Sequence, residues 1–148
     1  LSRYIDIIVY RTSSAEKLYE LAKCSSVPVI NGLNDETHPC QLVADVMTFE
    51  ENIGIINNKI VTWCGDFNNV CRSWVQASYI FDFKLHLACP KKLISKNEMN
   101  EIEKIKNIKL FNSAETACKN VDCIMTDTWF SMGQKVSGKK KNYLDHFK

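Results

Sequence analysis

The strongest constraint on this chain is an alternation in which short β-branched runs are separated by longer stretches of helical period. Six such runs occupy residues 7–10, 27–30, 59–64, 84–88, 108–111 and 121–126. Strands joined by helix-length segments pair in parallel, because a parallel neighbour needs a long crossover where an antiparallel one needs only a tight turn. Between the runs, residues 15–24 place Leu18, Leu21 and Ala22 on one helical face, and residues 42–53 place Val43, Val46, Met47 and Phe49 likewise. Further helices are predicted at 70–81, 96–106, 114–119 and 139–147, with Ser113 as an N-cap. The expected class is α/β, built of parallel-sheet, three-layer βα units.

A chain of 148 residues buries roughly 70% of its unfolded surface, which accommodates one complete domain but not two. Gly54 and the Asn57-Asn58 pair interrupt the pattern after a long helix, so a boundary is placed within 53–58. Residues 1–52 hold two βα units, too few for a sheet with its own core, and 53–148 hold about four strands of a second unit. The chain opens mid-pattern at Leu1-Ser2-Arg3 without a methionine, so an internal stretch of something longer is expected.

Composition narrows the function classes. With 45% hydrophobic and 24% charged residues, 5 Gly and 3 Pro, the chain is of the folding type. Its formal net charge of +2 is too balanced for a nucleic-acid or anionic-membrane footprint. No apolar run approaches the roughly 18 residues that span a bilayer, and no signal-peptide pattern opens the chain, so a cytoplasmic protein is expected. The 7 cysteines lack any C-x-x-C spacing and several lie in apolar runs; they read as reduced core thiols rather than disulfides or a metal site. Lys139-Lys140-Lys141 reads as a solvated helix start.

Ligands of open parallel sheets bind beyond the carboxyl ends of the strands. There the sequence sets Arg11, then Asn31-Gly32-Leu33 leading to His38-Pro39-Cys40-Gln41, then Gly65-Asp66-Phe67-Asn68-Asn69, and finally the run from Asp127 to Gly133. Singly, each has a plain reading as an ion pair, a helix cap or a turn. Jointly, four polar clusters on one rim point to a site.

Pro39 starts a helix and sets His38 and Gln41 three residues apart on one face of its electropositive end. An imidazole there can donate to a carbonyl oxygen, and the Gln amide can accept from an NH2 group. Arg11 adds a planar fork suited to phosphate or an oxyanion. That trio reads as a site for an anionic acyl donor. Asp127 offers a carboxylate for an ammonium, and Asn69 with backbone N–H groups near Met132 could hold a carboxylate, which reads as an amino-acid site. A dinucleotide site is rejected because the turn after Cys64 carries one glycine where the fingerprint needs three, and there is no P-loop.

These segments resemble the ornithine carbamoyltransferase family over the whole chain. Residues 28–33 followed by His38-Pro39-Cys40-Gln41 are similar to its carbamoyl phosphate segment, 65–70 to its G-D-x-N-N turn, and 126–134 to its D-x-W-x-S-M-G-Q loop. The His-Pro-x-Gln element is shared with aspartate carbamoyltransferases, whereas Ser131-Met132-Gly133 separates the ornithine enzymes. The resemblance implies that Arg11, His38 and Gln41 contact carbamoyl phosphate. It also implies that Asn69, Asp127, Ser131 and Met132 contact ornithine, with Asp127 and Ser131 toward the α-ammonium and Asn69 and the Met132 backbone toward the carboxylate. It further implies two α/β domains, with 1–52 ending the carbamoyl phosphate domain and 53–148 forming most of a Rossmann-like ornithine domain. A homotrimer, no cofactor and no metal complete the expectation.

The implied chemistry is attack of the neutral δ-amine of ornithine on the carbonyl carbon, a tetrahedral oxyanion, and departure of phosphate. His38 and Arg11 are the candidates for polarising the carbonyl, and positioning and electrostatics should dominate. The family's Ser-x-Arg-Thr loop and His-Cys-Leu-Pro segment have no counterpart here, and Phe67 stands where the family often has Gly. An internal stretch of the enzyme, inactive alone, accounts for the two missing motifs. A non-catalytic remnant with an amino-acid pocket, and a carbamoyltransferase of another amine, are the competing readings.

Overall fold

The computed structural model describes residues 2–128; the expected helix at 139–147 lies outside them. Among the described residues six parallel strands and five α-helices follow one another: β1 (Ile8–Arg11), α1 (Ala15–Cys24), β2 (Val29–Leu33), α2 (Pro39–Asn52), β3 (Ile60–Cys64), α3 (Asn69–Ile80), β4 (Lys84–Ala88), α4 (Lys96–Ile102), β5 (Ile108–Leu110), α5 (Ala114–Ala117) and β6 (Cys123–Met125). They fall into two compact units, Leu1–Ile55 with Asn68–Trp74, and Ile56–Phe67 with Val75–Lys148. The α/β class with parallel sheets is therefore as the alternation predicts.

In the first unit β1 and β2 pair in parallel, with Ile8 opposite Val29. β2 starts later than the β-branched run because Pro28 has no N–H to give the ladder; its carbonyl accepts from Ile8 N–H at 2.9 Å. The strand then continues through Asn31-Gly32-Leu33, which the sequence pattern placed beyond its end, and Arg11 is likewise the last residue of β1 rather than the first beyond it. The register shifts between Tyr10 and Arg11, and a Cβ on Gly32 would stand 3.2 Å from Val9 Cγ1 and 3.3 Å from the Tyr10 carbonyl. Glycine is what lets the strands approach there.

Each helix start has a local cause. Ser14 Oγ accepts from Lys17 N–H at 3.2 Å, Pro39 occupies the first turn of α2, and Ser95 with Glu98 closes a capping box at α4. On α1 only Leu18 of the expected face is buried, Leu21 being half-buried and Ala22 exposed. On α2 the buried stripe is Leu42, Val46 and Phe49, while Val43 and Met47 are 48% and 55% exposed. The expected face on α2 therefore needs correcting. Apolar residues surround much of this helix, and only packing decides that the 42–46–49 row turns inward.

The second unit holds a four-stranded sheet in the order β5-β4-β3-β6, all parallel. Val61 and Trp63 of β3, Leu85 and Leu87 of β4, Phe83 and Ile56 form its interior at 0–1% exposure. On β3 the successive residues Val61, Thr62 and Trp63 are all buried, as in a parallel strand covered on both faces. Asn58, Asp82 and Asn120 adopt positive φ of 62°, 51° and 57° in the turns before β3, β4 and β6. Short polar side chains tolerate that region better than branched ones. α4 stops at Ile102, short of the predicted 106, and α5 at Ala117, short of 119.

Candidate functional site

The strand order carries the first functional clue. From β3 the chain moves outward through β4 to β5, then returns to β6 on the other side of β3. The crevice beyond the carboxyl ends of β3 and β6 is thus a topological switch point, where open α/β sheets bind ligands. Gly65-Asp66-Phe67 leave β3 there, and Thr126-Asp127 leave β6. The buried Trp63 ring supports the turn, its Nε1–H donating to the Asp66 carbonyl at 2.9 Å. Phe67 is buried as well, so the side chain that replaces glycine is absorbed by the core. Asp127 is exposed, and its Oδ1 accepts from Thr128 N–H at 2.7 Å. Ser131 and Met132 lie outside the described residues.

In the first unit, Arg11 closes β1 with an exposed side chain. His38 is the N-cap of α2 at φ −132° and ψ 69°, and its side chain makes no capping bond. Its backbone N–H instead donates to Ser73 Oγ at 2.8 Å. Gln41 Nε2 donates to Asp45 Oδ1 at 2.8 Å, which settles the orientation of the amide and leaves Oε1 as its acceptor, the atom an NH2 group requires. Asn68 Oδ1 caps α3, accepting from Val70 and Cys71 N–H groups at 3.0 Å each. Asn69 Nδ2 donates to the Asn34 carbonyl at 2.9 Å, and its Oδ1 accepts from Val70 N–H at 3.1 Å. The first unit therefore contains four of the seven sequence-derived candidates, Arg11, His38, Gln41 and Asn69.

Three residues were missed. Asn34 Oδ1 accepts from Glu36 and Thr37 N–H groups at 3.0 and 2.7 Å, shaping the loop that delivers His38. An asparagine two and three residues before those donors is an Asx-turn signal readable in sequence. Thr37 Oγ1 also accepts from Asn31 Nδ2 at 3.0 Å. Ser73, 35 residues from His38, had no local signal at all.

The 7 cysteines form no disulfide, but Cys24 and Cys40 are exposed rather than core thiols. Cys64 Sγ lies 3.5 Å from Cys118 Sγ. Burial, first, and then the Cys118 thiol push the Cys64 thiol up to about 12, so it is protonated at neutral pH.

Comparison with known proteins now decides the family. Residues 1–51 match the family model of the aspartate/ornithine carbamoyltransferase carbamoyl-P binding domain, and residues 57–148 match that of the Asp/Orn binding domain. The chain belongs to the aspartate/ornithine carbamoyltransferase family. It is 45% identical over 142 residues to the ornithine carbamoyltransferase of Ruthia magnifica, a match covering 95% of this chain and 47% of that protein. Similar identity, 45% over 146 residues, links it to the enzyme of Nitrobacter winogradskyi, with 97% and 47% covered. The ornithine carbamoyltransferase structure from Pyrococcus furiosus superposes with a TM-score of 0.82 at 35% identity, covering 99% of this chain and 48% of that one. That from Burkholderia thailandensis gives 0.80 at 41% identity, covering 86% and 44%. The chain thus spans about half the length of the curated relatives it matches.

Within this carbamoyltransferase frame, Arg11, His38 and Gln41 fall in the stretch matched by the carbamoyl-P domain, and Asn69, Asp127, Ser131 and Met132 in that matched by the Asp/Orn domain. Asn69 and Ser73, although in the second matched stretch, belong to the first compact unit.

Proposed function

We propose that the protein carrying this chain transfers the carbamoyl group of carbamoyl phosphate to the δ-amine of L-ornithine, giving L-citrulline and phosphate. The observation that carries the reading is the succession of a carbamoyl-P binding match and an Asp/Orn binding match along one chain. Ornithine is chosen over aspartate because the relatives are named ornithine carbamoyltransferases and because Ser131-Met132-Gly133 resembles the ornithine loop.

In the proposed reaction the amine nitrogen forms a bond to the carbonyl carbon, the carbonyl oxygen takes up negative charge and returns it to re-form the carbonyl as the carbon–oxygen bond to phosphate breaks, and the proton lost by nitrogen leaves with the phosphate. His38 and Arg11 stabilise the oxygen, Arg11 also draws the phosphate, and Gln41 Oε1 accepts from the carbamoyl NH2. Asp127 and Ser131 hold the ornithine α-ammonium; Asn69 and the Met132 backbone hold its carboxylate. Residues 1–52 are proposed as the end of the carbamoyl phosphate domain with its interdomain helix, and 53–148 as most of the ornithine domain. The enzyme is proposed to work as a cytoplasmic homotrimer; among the described residues no helix is long and apolar enough to cross a membrane.

The test is product analysis of the full-length protein with carbamoyl phosphate and, in turn, ornithine, aspartate, putrescine and N-acetylornithine. Citrulline from ornithine is expected, and a carbamoylated product only from another amine would overturn the assignment. The 148-residue chain by itself should bind carbamoyl phosphate weakly by calorimetry; tight binding would contradict a split site.

A further inference from the structure

His38 and Asn69, assigned above to different substrates, are joined by a closed ring of short contacts within the first unit. The Ser73 hydroxyl accepts from the His38 backbone N–H at 2.8 Å and donates to the Asn69 carbonyl at 2.9 Å. The Asn69 amide donates to the Asn34 carbonyl at 2.9 Å. Asn34 Oδ1 accepts from Thr37 N–H at 2.7 Å, while Asn34 N–H donates to the Thr37 carbonyl at 2.9 Å. The Thr37–His38 peptide bond closes the ring. Asn34 and Ser73 are 3% and 1% exposed, and the low local dielectric around buried polar groups strengthens the hydrogen bonds they make.

The ring lies at the starts of two helices. Ser73 stands one turn into α3, where its Oγ returns to the carbonyl four residues back, a bond a helical serine makes readily. Its second bond is the informative one. The N-cap N–H of α2 lies outside the intrahelical ladder and must find a partner elsewhere, and here that partner comes from a distant helix. Shifting Ser73 therefore shifts the backbone atom from which the His38 side chain is hung.

We propose that Ser73 is a positioning residue for carbamoyl transfer, setting the backbone of His38 through its hydroxyl and coupling it to Asn69 through the Asn34–Thr37 turn. This rests on the carbamoyltransferase reading above and on the assignment of His38 within it. Ser73 touches no reacting atom; it acts through His38.

The experiment uses the full-length enzyme with Ser73→Ala, Ser73→Thr, His38→Ala and the Ser73→Ala/His38→Ala double variant, measured by citrulline formation. Ser73→Ala should lower kcat between roughly tenfold and a hundredfold, the scale of a misplaced catalytic group, and Ser73→Thr, which keeps the hydroxyl, should restore most of it. In the His38→Ala background, Ser73→Ala should cost less than about twofold, because a group that acts through His38 has nothing left to position. Multiplying losses in the double variant would overturn the proposal, as would full kcat in Ser73→Ala alone. Asn34→Ala is the companion, expected to lower kcat while leaving the far-UV spectrum unchanged; an unaltered kcat removes the Asn34–Thr37 arm. Failure of the underlying reading looks different: His38→Ala would retain full turnover, or wild type would make no citrulline.

Discussion

The carbonyl of Ala117, a residue with 0% exposure, accepts two hydrogen bonds, from Thr62 Oγ1 of β3 at 3.0 Å and from His86 Nδ1 of β4 at 3.0 Å. The histidine must therefore carry a proton on Nδ1. Thr62→Val removes the first donor and leaves the second. The lost bond costs about 1 kcal/mol, and the added apolar group returns about 0.8 kcal/mol, so the single variant should lie within about 1 kcal/mol of wild type. His86→Leu loses the other bond and the contact with the Phe111 ring, whose centroid stands 4.5 Å away; about 1–2 kcal/mol is expected. In the double variant the carbonyl is buried without a donor, and the desolvation of an orphaned acceptor adds about 1–3 kcal/mol. Urea unfolding followed by far-UV circular dichroism should therefore show unfavourable coupling of about 1–3 kcal/mol with unchanged slope. Additivity within about 0.5 kcal/mol would refute the shared-acceptor argument. Favourable coupling would do so more strongly, because Thr62 and His86 face each other across the β3–β4 register and the new Val–Leu contact would then have won.

Three shorter expectations follow. In the full-length enzyme, His38→Ala should lower kcat on the order of 10²-fold or more if its imidazole polarises the carbonyl, and an unchanged turnover number removes that role. Asp122 accepts from Ile60 N–H at 2.8 Å and meets Lys59 Nζ at 3.4 Å, and chiefly that backbone bond lowers its pKa. A depressed folded-state pKa gives stability that is present above the unfolded value of about 3.9 and lost as pH falls below it. Wild type should thus exceed Asp122→Asn by up to about 1 kcal/mol at pH 7, with the gap narrowing as pH falls from the unfolded value through the depressed folded one; a gap that does not narrow with acid, in urea titrations, contradicts the charge argument. Finally, iodoacetamide at pH 8 followed by peptide mass spectrometry should label exposed Cys24 and Cys40 well before Cys64, whose thiol burial keeps protonated. Equal labelling rates would show that Cys64 is open to solvent.

Much of the fold can be read locally. The β-branched runs locate the six strands of the described residues to within three residues at every end, because alternation and branching act over adjacent positions. Pro39 and Ser113 mark helix starts because a cap or a first-turn proline acts only over the next two or three residues. Of the candidate site, the same locality yields the His38-Pro39-Cys40-Gln41 corner and the asparagine pair that opens α3. What it misjudges is telling. Arg11 and Asn31 belong to strands, since the shift opposite Gly32 lets pairing run on, and Val43 and Met47 face outward although their spacing suits a buried face.

By itself, then, the sequence determined that the chain is a parallel α/β structure, where its elements begin, and which motifs make it a carbamoyltransferase relative. Tertiary structure alone decided that β6 joins β3 to create the switch point, that Leu42 rather than Val43 leads the buried row of α2, and that Ser73 holds His38. The reason is range. Caps and periodicity are settled among neighbours in the chain, whereas the partners of His38 and Asn69 stand 35 residues away, and nothing in the local pattern of Ser73 or Asn34 distinguishes these contacts from the many others a hydroxyl or an amide could make.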